Sequence, residues 1–202
     1  GQADEIDIAV AFTKVTGLRL LLPDLHDALE SGEGARQQPA RLRFLTSDYL
    51  DVTDPEALRL LMLLKEKGAQ VRVFEATKSS FHLKTYVFTR FGGNDKMSGT
   101  AFIGSSNISR QALQDGLEWN YRVSFPGDSG FIETRNRFEQ LFHHPSTQPL
   151  SDSWIDQYEA RRVPPPRPIA PGSQENELPP TPTPVQIAAL NALDESRKNG
   201  FE

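Results

Sequence analysis

His82 and Lys84 stand two residues apart in the apolar-alternating stretch Phe81–Phe88, so on a strand their side chains share one face. Downstream, Gly104-Ser105-Ser106-Asn107 falls where the apolar pair Phe102-Ile103, read as a buried strand, gives way to a predicted helix over Ser109–Leu113. Backbone amides at such a turn, flanked by small hydroxyl and amide side chains, form a ready anion site. Farther on, Glu118 shares the polar face of a predicted strand with Asn120 and Arg122, and the alternation directs Trp119 and Tyr121 to the core. An imidazole, an ammonium, a hydroxyl, a carboxamide and a carboxylate are the parts needed to attack a phosphodiester without a metal. The imidazole serves as nucleophile, the Lys and Asn neutralise phosphoryl oxygens, and the carboxylate orients the ring. From composition alone, His-x-Lys is expected roughly 0.14 times and Gly-Ser-x-Asn roughly 0.04 times, so chance is not the favoured account of both.

The elements that must position these residues alternate. Ile6, Ile8, Val10 and Phe12 mark a strand and Leu18–Leu29 a helix. Leu42–Leu45 is a short strand. Asp54-Pro55-Glu56 opens a helix, with Asp54 as N-cap, and Gly68 stops it. Val71 and Val73 belong to the next strand, before the His82 strand itself. After the strand from Trp119 to Phe125, helices over Phe131–Phe142 and Trp154–Arg161 close the domain. The pattern predicts an α/β fold: a mixed, largely parallel sheet with helices on both faces.

Of 202 residues, 37 % are hydrophobic and 24 % charged, enough to bury a core. No apolar run nears membrane-spanning length and no secretory leader opens the chain. Zero cysteines exclude disulfides and thiolate chemistry and suit a cytoplasmic protein. The net charge of −5 argues against a bulk cationic nucleic-acid binder and leaves room for a local basic cleft. Nine of the 15 prolines lie between Pro164 and Pro184. We therefore divide the chain into a catalytic domain over 1–162, a proline-rich linker over 163–184, and the start of a truncated further domain over 185–202. That last piece opens with an amphipathic helix, whose apolar positions Val185, Ile187, Ala188, Leu190 and Leu193 need a partner surface.

His82-x-Lys84 followed by Gly104-Ser105-Ser106-Asn107 resembles the HxK and GSxN halves of the phospholipase D superfamily signature, over roughly residues 1–145. Glu118 follows at the separation seen in the bacterial endonuclease branch. The resemblance implies a phosphodiesterase working through a phosphohistidine, with neither metal nor cofactor. His82 is then nucleophile or leaving-group acid, and Lys84 and Asn107 clamp the phosphate. Ser105 contacts the phosphate or braces its neighbours, and Glu118 holds His82 in the productive tautomer. Lys78, Ser106, Arg110 and Arg122 are candidates for substrate contacts. Two departures stand out: Thr89 occupies the position where the fuller pattern has Asp, and the loop Phe91–Gly99 is long for a compact nuclease.

Members of that superfamily use two HxK motifs, and this chain has one: His26, His143 and His144 lack a Lys two residues on. The resemblance therefore implies a homodimer with the active site on its two-fold axis. Thr183-Pro184-Val185-Gln186-Ile187-Ala188-Ala189-Leu190 is similar to the opening of superfamily 2 helicases, which implies a C-terminal helicase motor and favours nucleic acid, DNA first, over lipid as substrate. No membrane partner is expected. Two other readings stay open: an idle module that dimerises the motor or grips DNA, and an enzyme for a lipid or nucleotide diester. Plainer roles also stand beside the chemical ones. Glu118 could pair with Arg122, the stretch Thr77-Lys78-Ser79-Ser80 could simply connect, and His143-His144 reads as a helix end.

Overall fold

The computed structural model describes residues 3–30, 38–76, 80–92, 96–163 and 184–198. The chain divides into two units, Gly1–Pro165 and Pro166–Glu202. In the first, the seven strands are β1 (Glu5–Val10), β2 (Arg41–Ser47), β3 (Gln70–Phe74), β4 (Lys84–Phe91), β5 (Met97–Gly104), β6 (Asn120–Phe125) and β7 (Thr147–Pro149). They form one sheet in the order β6-β5-β4-β1-β2-β3-β7. Period-two alternation in β1 sends Ile6, Ile8 and Val10 to one face and Asp7 and Ala9 to the other. Helices α1 (Val15–Leu29), α2 (Pro55–Glu66) and α4 (Asp152–Arg161) bury the first face, against Leu42, Phe44, Val71 and Val73. Helix α3 (Gly130–Phe142) covers the second through Phe131, Phe138 and Phe142. In the other unit, α5 spans Pro184–Lys198, with Ile187, Leu190 and Leu193 exposed.

The sheet is mixed, with helices on both faces, but not largely parallel. Of its six pairings only β1–β2 and β2–β3 are parallel. A parallel neighbour needs a crossover long enough for a helix, and only α1 and α2 provide one. The segment read as a crossover helix at Ser109–Leu113 is a single π turn, Gln111–Asp115, too short to carry the chain across the sheet. So β6 returns antiparallel beside β5, pairing Ile103 with Tyr121 and Gly104 with Asn120.

Under α3 the sheet buries a charge pair. Arg43 bonds Asp7 through two nitrogens, at 2.7 and 2.9 Å, and reaches Glu139 on α3 at 2.5 Å. Its guanidinium also lies over the Phe138 ring at 4.8 Å and the Phe142 ring at 5.2 Å. Burial pulls the Arg43 pKa down, but the bonds from Asp7 and Glu139 outweigh it and raise the value. Asp54 precedes α2 as expected without capping it. Its carboxylate accepts from Val15 N–H, the first residue of α1, and from Lys14 Nζ, both at 3.1 Å, and so ties the two helix starts together.

Candidate active site

Four residues that follow β1 assemble both motifs. Ala11 N–H donates to the Leu83 carbonyl at 2.7 Å, fixing the backbone between His82 and Lys84. Phe12 N–H donates to Asn107 Oδ1 at 3.1 Å. Thr13 then bridges Ile108 in parallel, and Lys14 N–H donates to the Ile108 carbonyl at 2.7 Å. The ends of β1 and β5 and the start of β4 therefore meet at one edge of the sheet, and His82, Lys84 and Asn107 meet with them. Glycine permits two of the approaches. A Cβ at Gly104 would sit 2.1 Å from the Trp119 carbonyl oxygen, and one at Gly17 would sit 2.4 Å from the Ser109 backbone. Both would force the loop after β5 away from its neighbours.

The side chains differ sharply in what they touch. His82 is exposed and stands two residues before the first residue of β4 rather than lying on it. Lys84 is only 5 % exposed and pairs with no carboxylate among the described residues; its Nζ lies 3.4 Å from the His82 carbonyl oxygen. Burial lowers the Lys84 pKa, and the Glu118 charge acts in the opposite sense, so Glu118 lies within electrostatic reach. Asn107 is buried as well. Because Oδ1 is committed to the Phe12 amide, the Nδ2 donor is turned elsewhere, with no hydrogen-bond partner among the described residues.

Ser105 braces its neighbours. Its hydroxyl donates to the Glu118 carboxylate and accepts from Trp119 N–H at 2.9 Å, so it clips the start of β6 to the end of β5. No hydrogen bond joins Glu118 to His82 among the described residues, nor does Glu118 pair with Arg122. Ser106 is buried: its Oγ accepts from Asn120 Nδ2 at 2.7 Å and its carbonyl from Tyr86 Oη at 2.9 Å. Burial, followed by the Glu118 charge, pushes the Tyr86 pKa upward. Arg110 is exposed and forms an ion pair with Asp115 at 3.4 Å. Arg122 is exposed too, and its Nε donates to Ser124 Oγ at 3.3 Å. Lys78, with Thr77 and Ser79, lies outside the described residues. His143 does cap the end of α3, and its ring meets Glu139 at 2.9 Å.

Two expectations about the neighbouring strands are corrected. Trp119 and Tyr121 do not face the core; they are 85 % and 63 % exposed. Ile103 on the same face is not buried either, nor is Phe102, which lies on the opposite face against Phe88. Helix α3 covers only the far half of β5 and β6, where Phe131 meets Ala101 and Val123. The near half extends past it beside the motif residues. Sequence reading missed Tyr49, whose ring meets His82 edge-on at 6.4 Å between centroids. It sits just past Ser47, at the carboxyl end of β2, and that position was the available signal, because α/β sheets carry ligands outside the carboxyl ends of their strands.

A mixed α/β sheet that brings one histidine–lysine pair and one buried asparagine to a common edge defines the class. The family model described as "Cardiolipin synthase, PLD-like domain" matches residues 3–144, and the chain belongs to this PLD-like domain family, within the phosphodiesterase-type phospholipase D superfamily. No curated protein matches the chain. Thr89, at the departing position, is fully buried, and its hydroxyl has no hydrogen-bond partner among the described residues. No helix among the described residues is long and apolar enough to cross a membrane.

Proposed function

We propose that the domain is a metal-independent phosphodiesterase, a cytoplasmic nuclease acting on DNA and attached to a helicase motor. One observation carries the reading: among the described residues the buried ammonium of Lys84 has no carboxylate partner, and the amide donor of Asn107, without a hydrogen-bond partner there, lies at the same end of the sheet. A buried cation in that condition is costly to the fold and well matched to an incoming phosphate. In the proposed reaction a ring nitrogen of His82 bonds to phosphorus as the bond to the leaving oxygen breaks. That oxygen takes a proton from the partner subunit's His82. A water then returns a proton to that histidine, and its oxygen displaces the His82 nitrogen from phosphorus. Lys84 and Asn107 neutralise the non-bridging oxygens throughout, and Glu118, fastened by Ser105, is the carboxylate that would orient the imidazole.

The requirement for a second copy follows from the single histidine–lysine pair. It is supported by an exposed apolar row beside the site, formed by Leu117, Trp119, Tyr121 and Ile103, of the kind monomers rarely leave uncovered. The helicase attachment rests on the Pro184–Leu190 similarity and on the exposed apolar residues of α5. The test is DNA cleavage in EDTA over a dilution series. Turnover per chain is expected to fall as the dimer dissociates and to vanish in His82→Ala. Full activity in monomers, or cleavage retained by His82→Ala, would reject the reading. Salt-sensitive DNA binding without cleavage would favour the idle module.

A further inference from the structure

We infer that Tyr49 is a positioning residue for His82, and that the loop carrying it is held in a strained conformation by the end of α4. The inference rests on the reading of His82 as nucleophile. The His82 ring is exposed and forms no hydrogen bond among the described residues, which leaves the Tyr49 ring as the contact they show against it. The Tyr49 ring approaches it edge-on at an interplanar angle of 71° and restricts it from one side. Tyr49 itself is half-buried against the Phe74, Phe81 and Leu83 cluster.

The turn that presents Tyr49 is not one its sequence prefers. Leu50 and Asp51 both take left-handed backbone angles, with φ of 57° and 54°, in a stretch without glycine. Such angles persist only where the surroundings over-determine them. Leu50 is exposed, so its own burial does not supply the compensation. The end of α4 does. Arg162 Nε donates to the Asp51 carbonyl at 2.8 Å, and Val163 N–H donates to the Asp51 carboxylate at 3.2 Å. Arg161 bonds Asp48 at 2.6 Å, and the buried Tyr158 hydroxyl donates to the Thr53 carbonyl at 2.9 Å. Asp48 spends its other oxygen on Ala76 N–H at 2.7 Å, on the chain leading to His82. The end of α4 and the two residues after it thus clamp the loop by four hydrogen bonds, at Asp48, Asp51 and Thr53, and the loop holds the imidazole.

The test uses the 202-residue chain and bis(p-nitrophenyl) phosphate, with the Hε1 resonance of His82 assigned by its loss in His82→Asn. Tyr49→Ala is expected to lower kcat about 10- to 100-fold with little change in KM, the size of effect a misplaced reacting group produces. The His82 signal should broaden or split as its ring samples several rotamers. Tyr49→Phe keeps the ring and should restore both, while Arg162→Met should move both in the same direction by less. Unchanged kcat and an unchanged His82 signal in Tyr49→Ala would overturn the inference, as would a Tyr49→Phe variant as damaged as Tyr49→Ala. If the unmutated chain hydrolyses nothing, or His82→Asn is equally active, the proposed reaction fails. The His82 signal then decides the positioning role alone.

Discussion

Among the described residues two cations are buried in this domain, one on each face of the sheet, and they are treated oppositely. Arg43 is 4 % exposed and has a bidentate carboxylate, a second carboxylate and two aromatic rings around it. Lys84 is 5 % exposed and has a carbonyl oxygen at 3.4 Å. Neighbours raise the Arg43 pKa, whereas burial depresses that of Lys84. A charge serving only the fold is satisfied on every side, because an unmet buried charge costs several kcal/mol. The charge left unmet among the described residues is the lysine of the one histidine–lysine pair, where an anion would complete it.

Removing each charge in turn separates the two roles. Lys84→Met is expected to reduce diester turnover about 10²- to 10³-fold, as loss of an oxyanion-stabilising group does, and to leave Tm unchanged or higher. A large fall in Tm would mean that Lys84 is structural after all. Arg43→Met should do the reverse. It leaves Asp7 buried without its partner and should cost about 3–5 kcal/mol in urea unfolding, with turnover per folded chain preserved. Inorganic phosphate offers the missing counter-charge directly. At tenfold excess over its Kd it should stabilise the unmutated chain by about 1.4 kcal/mol and Lys84→Met by nothing.

The pH dependence follows from the depressed Lys84 pKa. The folded state holds this proton less tightly than the unfolded chain, so charging Lys84 opposes folding. That penalty is fully present below the folded pKa and relieved as pH rises through it toward the ordinary lysine value near ~10.4. The Tm advantage of Lys84→Met should therefore narrow between neutral pH and about pH 10, and a gap independent of pH would contradict it. The smallest effect concerns Thr89, a buried hydroxyl that is uncharged and has no hydrogen-bond partner among the described residues. Thr89→Val should gain about 1 kcal/mol in stability without changing turnover. That outcome would separate an idle packing defect from a site waiting for a ligand.

Local pattern made much of this legible in the sequence. The spacing of His82 and Lys84, the Gly104–Asn107 turn and the apolar alternation of β1 each need only a few consecutive residues. The direction of β6 was misread because Ser109–Leu113 looks helical in sequence, while only the tertiary path reveals that the turn is too short to cross a sheet. The exposure of Trp119 and Tyr121 was misread for a related reason. Alternation reports that a strand has two faces, not how far the helix above it reaches. Tyr49 escaped notice because the contacts that fix its loop join residues 111 and 113 positions apart, from Asp51 to Arg162 and from Asp48 to Arg161. The roles of Ser105 and Ser106 needed coordinates as well, since adjacent hydroxyls in one motif are spent on different partners.

The most direct test of the account is to trap the covalent intermediate. The chain is mixed with excess DNA in EDTA, quenched in alkali within one turnover and weighed intact, and the adduct is mapped by peptide mass. The account predicts a phosphoryl-linked nucleotide on His82 that is absent from His82→Asn and much reduced in Lys84→Met. Cleavage that proceeds at full rate in His82→Asn, with no adduct on the unmutated chain, would contradict it.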